Sequence, residues 1–203
     1  MIVSIHLPKA GGTTFGSILR EIYGKSLFLD YSKQWSKEDT KNNFYEKKLE
    51  CLHGHFEHNA FDHLYPDTKK IIWLRNPSER IYSLYKYLKL NPDHDNSYYT
   101  PIYNNAFTFN DFIKLEWVQN NFKNFIKDSL PKDFYFIGFL EYFDSSLSEC
   151  SKFLNWKYIP EYSILNKNNQ IINSSDTVLK RHINKFLDFE IDWYEQAFSQ
   201  ATF

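Results

Sequence analysis

Lys9, Gly11, Gly12, Thr13 and Thr14 crowd into one turn, after a short apolar strand and just before a helical pattern begins. Residues of these types in this order can grip an anion. The glycines let backbone N–H groups come close and the threonines add hydroxyls. A helix N-terminus and the Lys9 ammonium supply positive charge. A phosphate-like group suits such a turn. The order also excludes a reading. A nucleotide triphosphatase loop runs Gly-x-x-x-x-Gly-Lys-Ser/Thr, whereas here the lysine precedes the glycine pair and no Gly-Lys dipeptide occurs in the turn. A P-loop-like kinase using ATP and magnesium is therefore only the nearest enzymatic rival. A non-catalytic nucleotide-binding domain is the rival of another class.

A second cation closes a later apolar run. Arg75 follows Lys69–Leu74, and Ser83 stands eight residues further on. Strand ends of neighbouring βα units converge on one face of a parallel sheet, so Arg75 is expected beside the first turn. Its forked donors suit a second phosphate. The competing role is an ion pair with Glu79, and Arg80 is expected to be such a structural partner. The third group is His53-Gly54-His55. In an extended segment both imidazoles point the same way, and an ordinary imidazole titrates near neutral pH, as a general base requires. His58 and His63 follow closely, but His-x-His without companion cysteines is a poor metal motif. No metal is expected.

These groups need a frame that brings them together. Ile2–Ile5 reads as a buried strand and Thr14–Tyr23 as a helix ending near Gly24. Residues 31–50 read as a surface helix and loops, with Glu50–Leu52 a short strand that delivers the histidines. Lys69–Leu74 is the continuous apolar run of a central parallel strand. The next helix has the clearest start: Asn76 as N-cap, Pro77 at the first position and Glu79 where a capping box wants an acid. Ile81, Leu84, Tyr85 and Leu88 then form one apolar stripe. Phe109–Trp117, Asn120–Ile126, Ser145–Leu154, 176–187 and 189–200 read as helical, and Phe134–Leu140 as another buried strand. Residues 91–110 and 157–175 are long polar loops. The alternation implies an α/β fold with a central parallel sheet flanked by helices, in a single domain spanning 1–203.

Composition narrows the partners. At 203 residues, with 42% hydrophobic content, the chain can bury a core without disulfide or metal staples. A net charge of −1 gives no electrostatic case for nucleic acid or an anionic membrane. Cys51 and Cys150 match no metal spacing and are expected to be buried thiols. No apolar run approaches the roughly 20 residues of a membrane helix. A first strand at residue 2 leaves no room for a leader, so a cytoplasmic protein is expected. Nothing in the sequence specifies an oligomeric state.

Taken together, the three groups resemble the 3′-phosphoadenosine 5′-phosphosulfate (PAPS)-dependent sulfotransferases, in particular the carbohydrate, 2-O-sulfotransferase-like branch. His6-Leu7-Pro8-Lys9-Ala10-Gly11-Gly12-Thr13-Thr14 is similar to that family's 5′-phosphosulfate loop. Ala10 stands where a hydroxyl residue is usual, which removes one phosphate contact. Leu74 to Tyr85, with Arg75 and Ser83, resembles its 3′-phosphate motif. Ile137 to Phe143 resembles its later strand-and-turn, and His53-Gly54-His55 the segment that supplies the base. The resemblance implies a P-loop-like three-layer fold, PAPS as sulfuryl donor and a carbohydrate or other hydroxyl-bearing acceptor. It further implies Lys9, Gly11, Gly12, Thr13, Thr14, Arg75 and Ser83 as donor-binding residues. His55 would be the base, with Lys9 also catalytic. Trp35, Tyr87, Tyr98, Tyr99 and Tyr103 are candidate platforms for sugar rings. Loop 91–110 is a candidate acceptor lid, and loop 157–175, with Lys167, is expected to close over the nucleotide.

Overall fold

Five short parallel strands among the described residues form one sheet, and their carboxyl ends share one edge. In the computed structural model, which describes residues 1–31, 48–91, 107–165 and 183–201, β1 (Ile2–Ile5) is buried along its whole length. It lies between β3 (Cys51–Gly54) and β4 (Lys69–Leu74). β2 (Leu27–Asp30) and β5 (Phe136–Phe139) complete a sheet of order β2-β3-β1-β4-β5, every neighbouring pair parallel. Ile5 pairs with Gly54 on one side and Ile72 on the other. The carboxyl ends of β3 and β1 therefore emerge level, with β4 two residues longer.

Alternation along the strands splits the core into two layers. Val3, Ile5, Leu52, Ile72 and Leu74 pack with Phe122 and Trp193, from α5 (Asn121–Ile126) and α7 (Asp188–Ser199). Ile2, Ile71 and Trp73 pack with Phe15, Ile18, Leu19 and Leu147, from α1 (Gly12–Tyr23) and α6 (Phe143–Phe153). The sheet thus lies between two helical layers, a P-loop-like arrangement in agreement with the alternation in the sequence. The stripe Ile81, Leu84, Tyr85 and Leu88 on α2 (Pro77–Leu90) packs elsewhere, against Phe112, Ile113 and Val118. Those residues belong to α3 (Phe109–Phe112), α4 (Glu116–Gln119) and the link between them.

Several boundaries differ from the expected ones. α1 starts at Gly12 rather than Thr14, because Gly11 takes a left-handed conformation and the turn ends there. β3 runs to Gly54, so His53 lies inside the strand rather than after it. Phe109–Trp117 divides into α3 and α4, with Thr108 and Asp111 forming a capping box on α3. β2 was not foreseen. Cys51 and Cys150 are both buried, and burial pushes both thiols well above their usual pKa. Among the described residues no helix is long and apolar enough to cross a membrane. Trp35, Tyr98, Tyr99, Tyr103 and Lys167 lie outside the described residues, with most of loop 91–110 and all of 166–182.

Candidate active site

The chain leaves β1 at Ile5 and turns over the strand end before α1 begins. Lys9 and Gly11 both take positive φ, 68° and 85°. For Gly11 this conformation carries no steric cost, whereas for a lysine it is uncommon and marks a constrained turn. Each glycine of the pair is dictated by a neighbour. A Cβ on Gly11 would lie 2.8 Å from Leu140, and one on Gly12 would lie 2.0 Å from the His6 ring. Gly11 is also the N-cap of α1, which has no side-chain cap and no acid in its first turn. The positive end of this helix is left without a side-chain acceptor.

The predicted side chains of the turn divide. The Lys9 ammonium stands 4.2 Å from the centre of the Tyr87 ring. Burial lowers the Lys9 pKa, and the nearby Arg75 charge lowers it further. Thr13 is exposed. Thr14 is buried, and its hydroxyl oxygen accepts a 3.0 Å hydrogen bond from the Leu165 N–H. The described part of loop 157–175 thus already reaches the start of α1. Ala10 is fully buried in the core, so the side chain that departs from the family pattern is turned into the protein.

On the β4–α2 side, Arg75 has the structural partner that the sequence offered. Its Nη2 lies 3.6 Å from Glu79 Oε2, a charge contact too long for a hydrogen bond. Arg80 differs. It is fully buried, with Nε and Nη2 donating to the two oxygens of Glu190 at 2.6 and 2.7 Å. Its Nη1 donates to Asn121 at 2.9 Å and reaches the Pro8 carbonyl at 3.5 Å. It is a structural residue, as expected. Ser83, itself buried, stands three residues after Arg80 and four before Tyr87, on the same helix face. Since Arg80 meets Pro8 and Tyr87 meets Lys9, Ser83 faces the same turn. Glu141, after β5, accepts from the Asn76 N–H at 2.6 Å and ties this junction to the last strand.

His53, inside β3, and His55, just after it, have different surroundings. His53 is almost completely buried. Its Nε2 lies 3.0 Å from the Gly12 carbonyl and its Nδ1 2.8 Å from the Ser4 hydroxyl. The carbonyl can only accept, so Nε2 carries the proton and Nδ1 accepts from Ser4. Burial lowers the His53 pKa to about 4. Neither nitrogen is left for an outside hydroxyl. His55 is half-buried, and its ring centre lies 4.8 Å from His6 and 5.4 Å from Tyr31. The turn after β1 and His55 are thus joined through His6, which also lies against Gly12. The sequence did not single out His6 for a role, nor Tyr87 as the partner of Lys9. The spacing of Tyr87 four residues beyond Ser83 is the signal that could have found the second. Among the described residues no cluster of three His, Cys, Asp or Glu could hold a metal ion.

Comparison with known proteins gives a consistent picture. The profile described as "Sulfotransferase family" matches residues 1–201. No curated protein matches the sequence. Among solved structures, a sulfotransferase from Alicyclobacillus acidocaldarius is similar at 13% identity, with a TM-score of 0.54, covering 98% of this chain and 96% of that one. Mouse sulfotransferase SULT7A1 complexed with PAP is similar at 13% identity and the same TM-score, covering 98% of this chain and 88% of that one. At this identity the likeness is one of fold.

Proposed function

This chain belongs to the sulfotransferase family, and we propose that it transfers a sulfuryl group from PAPS to a carbohydrate hydroxyl, with His55 as general base. The observation that carries the reading is the uncapped start of α1, flanked by Lys9 and Arg75 and linked through His6 to His55. PAPS carries anionic groups at two ends, and the residues fit both. Backbone N–H groups of Gly11, Gly12, Thr13 and Thr14 hold the 5′-phosphosulfate. Arg75 and Ser83 hold the 3′-phosphate, the guanidinium having no hydrogen bond to give up at Glu79.

Transfer is an in-line displacement. The acceptor oxygen forms a bond to sulfur while the bond from sulfur to the bridging phosphate oxygen breaks. His55 takes the hydroxyl proton. Lys9 neutralises the charge that develops on the departing 3′,5′-bisphosphate. His55 is preferred to His53 as the base because both His53 nitrogens are engaged, by Ser4 and by Gly12. A carbohydrate acceptor rests on the His53-Gly54-His55 segment alone, since four of the five aromatic candidates lie outside the described residues.

Thermal unfolding with adenosine 3′,5′-bisphosphate, against ATP plus magnesium, tests the donor. Saturating bisphosphate at about 100 times its Kd stabilises the fold by about 2.7 kcal/mol, and ATP with magnesium does not. Stabilisation by ATP alone would overturn the donor assignment. Labelled PAPS offered to glycans and small alcohols then tests the acceptor. Label on a glycan hydroxyl is expected, and label on small alcohols only would overturn the carbohydrate reading.

A further inference from the structure

We propose that His6 is a positioning residue, whose ring sets the His55 imidazole against the donor turn; this rests on His55 being the base. His6 is the first residue after β1, and its N–H donates to the Gly54 carbonyl at 2.7 Å. That bond pins its backbone to β3 between the two histidines. Its ring lies 5.2 Å from His53 in a near-parallel stack, 4.8 Å from His55 at a tilt, and 5.3 Å from Tyr31 edge-on. Its fourth side is closed by Gly12. A Cβ there would meet Cδ2 at 2.0 Å and Nε2 at 2.3 Å. His6 is only 8% exposed, and its ring is wedged between the first residue of α1 and His55.

Hydrogen bonding does not explain the wedge. The His6 Nδ1 is buried with no partner among the described residues, an arrangement that native cores rarely keep without a reason. What the ring contributes is a flat face of fixed position. The titratable groups facing it are His53 from β3, His55 just after it, Lys9 from its own turn and Tyr31 beyond β2. α1 presents only Gly12. Burial first, and then the charges of His53, His55 and Lys9, lower its pKa to about 2. His6 therefore stays uncharged through any pH at which His55 could act. Its contact with both Gly12 and His55 gives a short mechanical path from the donor turn to the base. The reaction needs both sides held in register, and a displacement of about 1 Å can cost on the order of 100-fold in rate.

The test compares His6→Ala, His6→Leu, His6→Phe and His55→Ala for kcat, KM, the pH profile of kcat and bisphosphate affinity. His6→Ala is expected to lower kcat on the order of 10- to 100-fold and to leave bisphosphate affinity close to that of the parent. Water entering beside His55 stabilises its charged form, so the acid limb of the profile moves to higher pH. His6→Leu fills the slot without a flat face, so the same kcat loss is expected even if His6→Ala does not fold. His6→Phe restores most of the rate. Parental kcat in His6→Ala or in His6→Leu would overturn the proposal. So would a parallel loss of kcat and bisphosphate affinity that His6→Phe fails to restore. Parental turnover in His55→Ala would instead overturn the base assignment. An inactive His55→Ala beside a fully active His6→Ala would overturn the role of His6 alone.

Discussion

The helices that follow β1 and β4 begin side by side at the same edge of the sheet, and they begin in opposite ways. At the start of α2 the Asn76 side chain accepts from the Glu79 N–H at 3.3 Å, Pro77 occupies the first position and Glu79 adds an acid to the first turn. Glu141 takes the Asn76 N–H as well. At the start of α1 a glycine stands in the cap position, with no side-chain acceptor and no acid, and two cations lie nearby. A side-chain cap contributes about 1 kcal/mol over alanine, but only a few tenths of that over a glycine such as Gly11. A chain that caps one helix and leaves its neighbour open forgoes that stability where an external anion can replace it. α5 also lacks a side-chain cap and an acid in its first turn, so what sets the start of α1 apart is the open cap together with the two cations beside it.

The largest expected effects come from the two arginines that serve these ends. Arg80→Ala strands the buried Glu190 carboxylate and is expected to cost about 3–5 kcal/mol in chemical denaturation. Arg75→Ala is expected to cost under about 1 kcal/mol of stability. It should, however, weaken bisphosphate binding by roughly 10- to 100-fold, the worth of a hydrogen bond to a charged group. Equal stability losses for both would erase the contrast. Acid should act next, because the α1 side leans on two uncharged histidines. His53 and His6 have folded pKa values lowered to about 4 and about 2, while the unfolded chain takes up protons below about 6.5. Stability is therefore full above about pH 6.5 and falls as pH drops, His53 alone costing roughly 3 kcal/mol by pH 4. A denaturation midpoint that stays flat from neutral to acid pH would contradict this. Thr13→Asp is the subtlest test. A carboxylate in the open first turn of α1 should stabilise the ligand-free fold by about 0.3–1 kcal/mol while weakening bisphosphate binding. Stabilisation with unchanged affinity would make the turn a purely structural one.

Much of this contrast could be read before the fold was known. The Asn76-Pro77-Glu79 cap, the two central strands and the lysine-first turn all follow from local spacing, and local spacing is what helix ends and buried strands depend on. β2 escaped notice because Leu27–Asp30 is a four-residue edge strand, only half-buried, too short to show a period. The partner of Arg80 escaped because Glu190 is 110 residues away, and no local pattern encodes such a pairing. The histidine pair was legible as a pair, yet the split between His53 and His55 depends on Ser4 and the Gly12 carbonyl, contacts that exist only once β1, β3 and α1 assemble. The same holds for Gly12. The sequence offered it as a residue for close approach to phosphate, and the His6 ring independently requires it.

The central claim is that the open end of α1 is the donor site, and amide NMR with adenosine 3′,5′-bisphosphate tests it most directly. On saturation, the N–H signals of Gly11, Gly12, Thr13 and Thr14 are expected to shift and to exchange more slowly with solvent. The Glu79 N–H, already held by Asn76, is expected to show the smaller change. Bound ligand with unmoved signals at Gly11–Thr14, or with the dominant shifts at the capped start of α2, would contradict the assignment.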